Sequence, residues 1–183
     1  MAKKFSSEFD SRGTVKVTDK LMIQNIDTGA IEYTTVAELL TFPAVQVPNA
    51  NVNALDDYKE GTWTPAITFG GAASGILYHV NTAGNYTKIG NMVFASAIII
   101  LTNKGASSGT ALITGLPANA AQYAPVTLRL KNISFADQFM GYVNQSASTI
   151  ALEEVTNAGV FTVLTNADFA NDSEILMTAT YRV

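Results

Sequence analysis

The stretch Asn91 to Leu101, NMVFASAIIIL, constrains the fold more than any other part of this chain. Side chains of an extended strand alternate between its two faces. Met92, Phe94, Ile98 and Ile100 therefore share one face, and Val93, Ala95, Ala97, Ile99 and Leu101 the other, so both faces are apolar. An antiparallel strand in a two-layer sandwich buries one face against the core, and the other then needs a cover of its own. In a chain of 183 residues two covers are open. One is a loop laid over a central strand. The other is a further copy of the same protein, laid over Met92, Phe94, Ile98 and Ile100.

Around this strand, from Leu55 to Pro117, β-branched and aromatic runs alternate with Gly-rich breaks, as in a succession of antiparallel strands and tight turns. The same reading continues to the C-terminus. Val126, Leu128 and Leu130 alternate with Thr127, Arg129 and Lys131, and Ile175, Met177, Ala179, Tyr181 and Val183 fall on one face of a last strand. Further strands are expected at 110–116, 138–144, 149–155 and 160–164, and Lys104–Thr110 (KGASSGT) reads as a hairpin loop. Eight to ten strands with no helical period after residue 41 predict a mainly-β fold, an antiparallel jelly-roll-like β-sandwich.

In front of it, Lys20–Ile26 and Ala30–Tyr33 flank the turn Asp27-Thr28-Gly29 and predict a small hairpin. Thr35 and Glu38 have the spacing of a capping box for a short helix. Pro43 and Pro48 then bar both a helix and a central strand. The chain accordingly divides into a β/short-helix N-terminal segment (1–41), a linker or neck (42–54) and a C-terminal β-sandwich domain (55–183).

A net charge of −4 and a pI near 4.9 offer no cluster of cations for a phosphate backbone, so nucleic acid is not an expected partner. The absence of cysteine excludes disulfides, thiolate metal sites and a cysteine nucleophile. Neither a signal peptide nor an apolar run long enough to span a bilayer is present, so membrane insertion is not expected.

Residues for catalysis are sparse. His79 is the only histidine, and a triad or zinc site would depend on it alone. Asp56, Asp57 and Glu60, and again Asp168, Asp172 and Glu174, read as solvated loop charge rather than as the acid pair of a glycosidase. The spacing of Asp168, Asn171 and Asp172 matches no calcium loop. Glu153 and Glu154, adjacent on a strand, point to opposite faces. No enzyme activity, metal or cofactor is expected. What remains is a set of aromatics on a surface poor in charge. Trp63 and Tyr86 sit in strand patterns that favour the core, whereas Tyr123 and Tyr142 are the candidates for stacking on a glycan or receptor.

Three segments in order, GTWTPAITFGG (61–71), NYTKIGNMV (85–93) and NKGASSGTALITGLP (103–117), resemble a module of tailed-bacteriophage fibre proteins. VTDKLMIQNIDTGAIEYTTVAELL (17–40) is similar to the segment near the start of phage appendage proteins that fixes them to the virion. The resemblance implies a homotrimeric virion fibre, tail or head, assembled in the bacterial cytoplasm, with Met92, Phe94, Ile98 and Ile100 as its expected trimer core. Its N-terminus would be held by a capsid or tail protein, and its β-sandwich head would adhere to host polysaccharide or another receptor. A head fibre or capsid decoration protein without receptor binding is the alternative, and a small virion-borne glycan hydrolase a further one.

Overall fold

The computed structural model describes residues 20–24, 31–35 and 58–183. The chain divides into two compact units, Met1–Gln46 and Val47–Val183. In the first, β1 (Lys20–Gln24) pairs antiparallel with β2 (Ile31–Thr35), in register from Lys20↔Thr35 to Gln24↔Ile31. This is the hairpin expected from its sequence. The expected capped helix after Thr35 and the proline-bearing linker lie outside the described residues.

The second unit is built of β3 (Tyr58–Trp63), β4 (Ala66–Phe69), β5 (Ile76–Tyr78), β6 (Ala83–Ile89), β7 (Met92–Lys104), β8 (Ala111–Thr114), β9 (Ala124–Ile133), β10 (Gln138–Val143), β11 (Thr149–Val155), β12 (Phe161–Val163) and β13 (Phe169–Arg182). A 3-10 turn, Asn166–Asp168, is closed by a capping box in which Thr165 and Asp168 exchange side-chain-to-backbone bonds. The mainly-β antiparallel expectation holds. The strands follow one continuous path, β3-β6-β7-β13-β9-β10-β11-β8-β4, with β5 on β7 and β12 on β11 as side branches.

That path curls over its own apolar face. Phe69 on β4, at one end of the path, packs edge-to-face against Phe169 on β13, near its middle, with ring centroids 5.1 Å apart. Tyr78 on β5 reaches across in the same way, accepting from the Ile67 amide of β4 at 2.7 Å. The bend is made within β9. Ala124–Val126 pair with β10, and Val126–Ile133 pair with β13, so this one strand belongs to both layers. Between the layers lie fully buried side chains from both, among them Ile67, Val93, Ile99, Ile113, Ile150 and Ile175. Each contributes roughly 1.5–3 kcal/mol over an exposed position.

β7 and β13 form the spine of the first layer, in register from Ile100↔Glu174 to Met92↔Arg182. Val93, Ala95, Ile99 and Leu101 turn inward and are buried, as are Ile175, Met177, Ala179 and Tyr181 opposite them. Trp63 closes one end. Its indole N–H is shared between the carbonyls of Asn85 and Ser96, and the ring lies over Gly84, where a Cβ would collide with it.

The hairpin expected at Lys104–Thr110 is not one. β7 and β8 are not neighbours, and the segment carries the chain from the first layer to the second. Gly105, at a φ of 72°, makes this crossing where the Ser74–Ile76 backbone leaves no room for a side chain. A Gly-Ser loop between two strands has the same composition whether the strands pair or part, so the sequence carried no sign of it.

Tyr181 is buried at the C-terminal end of β13, and its hydroxyl makes no well-formed hydrogen bond. Burial pushes the phenol up to about 12, and the nearby Ala118 backbone only partly offsets this. A folded-state pKa raised above the unfolded value gives stability that is complete below pH 10 and is lost as the pH climbs towards 12. Tyr181→Phe cannot ionise. We expect the wild type to lose about 2–3 kcal/mol more than Tyr181→Phe between pH 9 and 12 in urea titrations followed by the single tryptophan. Equal losses would contradict this placement of the hydroxyl.

Candidate functional site

The curled sheet leaves two outward faces, one on each layer. The first belongs to β6, β7, β13 and β9. Opposite residues of paired strands point the same way, so the pairs Ala83↔Ile98↔Leu176↔Arg129, Asn85↔Ser96↔Thr178↔Thr127 and Thr87↔Phe94↔Thr180 make three cross-strand rows on it. The middle row floors a shallow concavity of about 470 Å³ that also takes in Ile98 and Leu176. A second concavity of about 380 Å³ continues it past Phe94 and Thr87.

The four residues expected to share a face of the central strand, Met92, Phe94, Ile98 and Ile100, are all on this outward side. Phe94 is 47% exposed within the single chain, while Met92, Ile98 and Ile100 are half-buried. Charge is kept to its margins: at one end Glu174 takes Arg129 at 3.0 Å and Lys131 at 3.5 Å, at the other Arg182 is opposite Met92, and at the β3 edge Glu60 is opposite Thr87.

The second face belongs to β10, β11 and β12, joined at its edge by the start of β9. Tyr142 on β10 is opposite Ala151 on β11 and Pro125 on β9. Tyr123, just before β9 and 63% exposed, meets Tyr142 edge-to-face at 5.6 Å. The two tyrosines singled out in the sequence are thus brought together. The Tyr142 hydroxyl donates to Glu153 Oε1 at 3.3 Å. Burial, followed by the charge of Glu153, raises the Tyr142 phenol above its ordinary range.

Next along the face come Met140 opposite Glu153, with Val163 beyond, and then Gln138, Val155 and Phe161. Met140, Phe161 and Val163 are all exposed. These neighbours were not picked out from the sequence, although the alternation Gln138-Met140-Tyr142 already placed Met140 beside Tyr142.

The other candidates are structural or solitary. Trp63 is in the core, Tyr86 packs against it, and Tyr78 ties β5 to β4. His79 is exposed, and its Nδ1 accepts from the Asn81 amide. Glu154 turns away from Glu153 to accept from the Ala136 amide. Asp168 is engaged in the Thr165 cap, and Asp172 accepts from Asn132 Nδ2 at 2.8 Å. Among the described residues no three acidic, histidine or cysteine side chains are grouped to hold a metal ion. Asp56 and Asp57 lie outside them.

The fold is therefore that of a one-sheet antiparallel β-sandwich, with an outer face uncharged at its centre on one layer and an aromatic outer face on the other. No family model matches the sequence, and a search of curated proteins finds no match. Among solved structures the chain is similar to the Dettilon tailspike protein (gp208), with a TM-score of 0.59 at 13% identity. The likeness covers 68% of this chain and 24% of that one, so this chain spans about a quarter of that protein's length, and at this identity what is shared is the fold.

Exchange of Glu153 for glutamine keeps the hydrogen-bond acceptor and removes the charge facing the Tyr142 phenol. Glu153→Gln is expected to bring the Tyr142 ionisation down towards the ordinary tyrosine range, though not fully, because burial remains. NMR titration of ring-labelled tyrosine, assigned with Tyr142→Phe, reads this directly. An unmoved Tyr142 would mean that Glu153 does not face it in solution.

Proposed function

We propose that this protein is a non-catalytic structural component of a tailed-phage virion, a homotrimeric fibre or spike that contacts the host surface through its β domain. In this reading residues 1–41 attach to a capsid or tail protein and 42–54 form the neck. Residues 55–183 form the head. The outer face of β6, β7, β13 and β9 lies between copies, and the Tyr123–Tyr142 face meets a host glycan.

The observation that carries this reading is the fold likeness to a phage tailspike, found with no reference to the fibre-like motifs of the sequence and in agreement with them. The outer faces support the division of labour. At a rotation axis every residue approaches its own copy, so a charge there meets a like charge. Across β6, β7, β13 and β9 the rows around Ser96 and Phe94 carry only Asn, Ser, Thr and apolar side chains, with Glu60 of β3 beyond Thr87 at the edge, in keeping with the depletion of charge at the centre of interfaces. Three linked heads would also let weak contacts to a repeating surface add up.

The test is the mass of the full chain in solution and its adsorption to host cells. A mass near three times 19.4 kDa is expected for the wild type. Phe94→Asp should fall to a monomer that keeps its circular dichroism. Tyr123→Ala combined with Tyr142→Ala should stay trimeric but lose cell adsorption. A monomeric wild type would contradict the trimer, and undiminished adsorption by the double variant would contradict the tyrosine face. Capsid binding without any cell adsorption would instead mark a decoration protein.

A further inference from the structure

The second layer of the sandwich contains no cation. β4, β8, β10, β11 and β12 hold no lysine, arginine or histidine, and none occurs anywhere from Asn132 to Tyr181, a stretch with six acidic residues. The cations nearest in sequence belong to the outward face of the other layer: Arg129 and Lys131, both taken by Glu174, and Arg182, opposite Met92 at the end of β13. On the aromatic face the charge is that of Glu153, held beside Tyr142 by its hydroxyl. At the far end of the same strands, Glu154 accepts from the Ala136 amide and Asp137 from the Asn157 amide. Among the described residues, a ligand stacking on Tyr123, Tyr142 and Met140 therefore meets a layer whose charges are all negative, with the Glu153 carboxylate as the charged hydrogen-bond partner on the face.

We infer that the ligand of this face is a neutral glycan, a chain of uncharged sugar units, and that acidic polysaccharides are rejected; this deepens the proposal that Tyr123 and Tyr142 meet a host glycan, and rests on it. Sugar hydroxyls donate to a carboxylate, and charge-assisted bonds are the stronger kind. The C–H face of a sugar ring fits the apolar area of the tyrosines and Met140. A uronate or phosphate finds no cation on the strands of this layer among the described residues. It must instead be stripped of water beside Glu153, and that repulsion is the element that separates the two classes.

The experiment measures binding of the full-length protein to immobilised glucan, galactan and mannan, each unmodified, carboxymethylated and aminated, so that charge varies on a fixed backbone. At least one unmodified polymer should bind about tenfold or more tightly than its carboxymethylated form, as expected where like charges are brought together. Tyr142→Ala should abolish that binding, and Glu153→Gln should narrow the preference.

Failure to bind any unmodified polymer, or preference for the acidic or the aminated form, overturns the inference. If the preferred acidic or aminated polymer is still lost in Tyr142→Ala, the face remains the contact surface and only the ligand class is wrong. If binding of any form survives both Tyr123→Ala and Tyr142→Ala, the face itself is wrong.

Discussion

The molecule depends on a strand that is apolar on both sides in a sheet that can cover only one of them. β7 runs through the middle of the first layer between β6 and β13, and its inward residues Val93, Ala95, Ile99 and Leu101 meet the core. Its outward residues are only partly covered within the single chain, with Phe94 the most open of them. Singly exposed apolar residues are ordinary on protein surfaces. Phe94 and the half-buried Ile98, set about the row Asn85, Ser96, Thr178 and Thr127 with charge only at the ends of their own rows, form a contiguous patch, and such patches mark contact with another molecule.

The same curl that builds the core creates the second outward face. Because β9 bends from β13 to β10, the strands that follow it form a layer of their own, and their outward residues point away from the first face. The Phe69–Phe169 contact and the Tyr78–Ile67 hydrogen bond hold the two layers together. One face can then be occupied while the other remains available. The two also differ in chemistry: hydroxyls, amides and apolar side chains with charge only at the margins on one, tyrosines beside a carboxylate on the other.

Much of this was legible from period-two alternation, which depends only on adjacent residues. The one-sided burial of β9 and of β13 and the two-sided character of β7 follow from it, and so does the common face of Met92, Phe94, Ile98 and Ile100. The meeting of Tyr123 and Tyr142 did not follow, because it depends on which strands pair: Tyr142 reaches Tyr123 only through the short β9–β10 ladder around Pro125. The crossing at Lys104–Thr110 was misread for the same reason, since loop composition does not encode the partner of the next strand. Met140, Phe161 and Val163 gain meaning only once β12 is seen to lie beside Glu153 and Val155.

The central claim is that the first face is covered by copies of the chain while the second stays open. Phe94 and Phe161 allow a direct comparison, being the same side chain at 47% and 58% exposure on the two faces of one protomer. Hydroxyl-radical footprinting of the full-length protein, read by mass spectrometry, compares them in one sample. The account predicts that Phe94 is strongly protected and Phe161 oxidised at the rate of an open surface residue. Comparable oxidation of the two would contradict it.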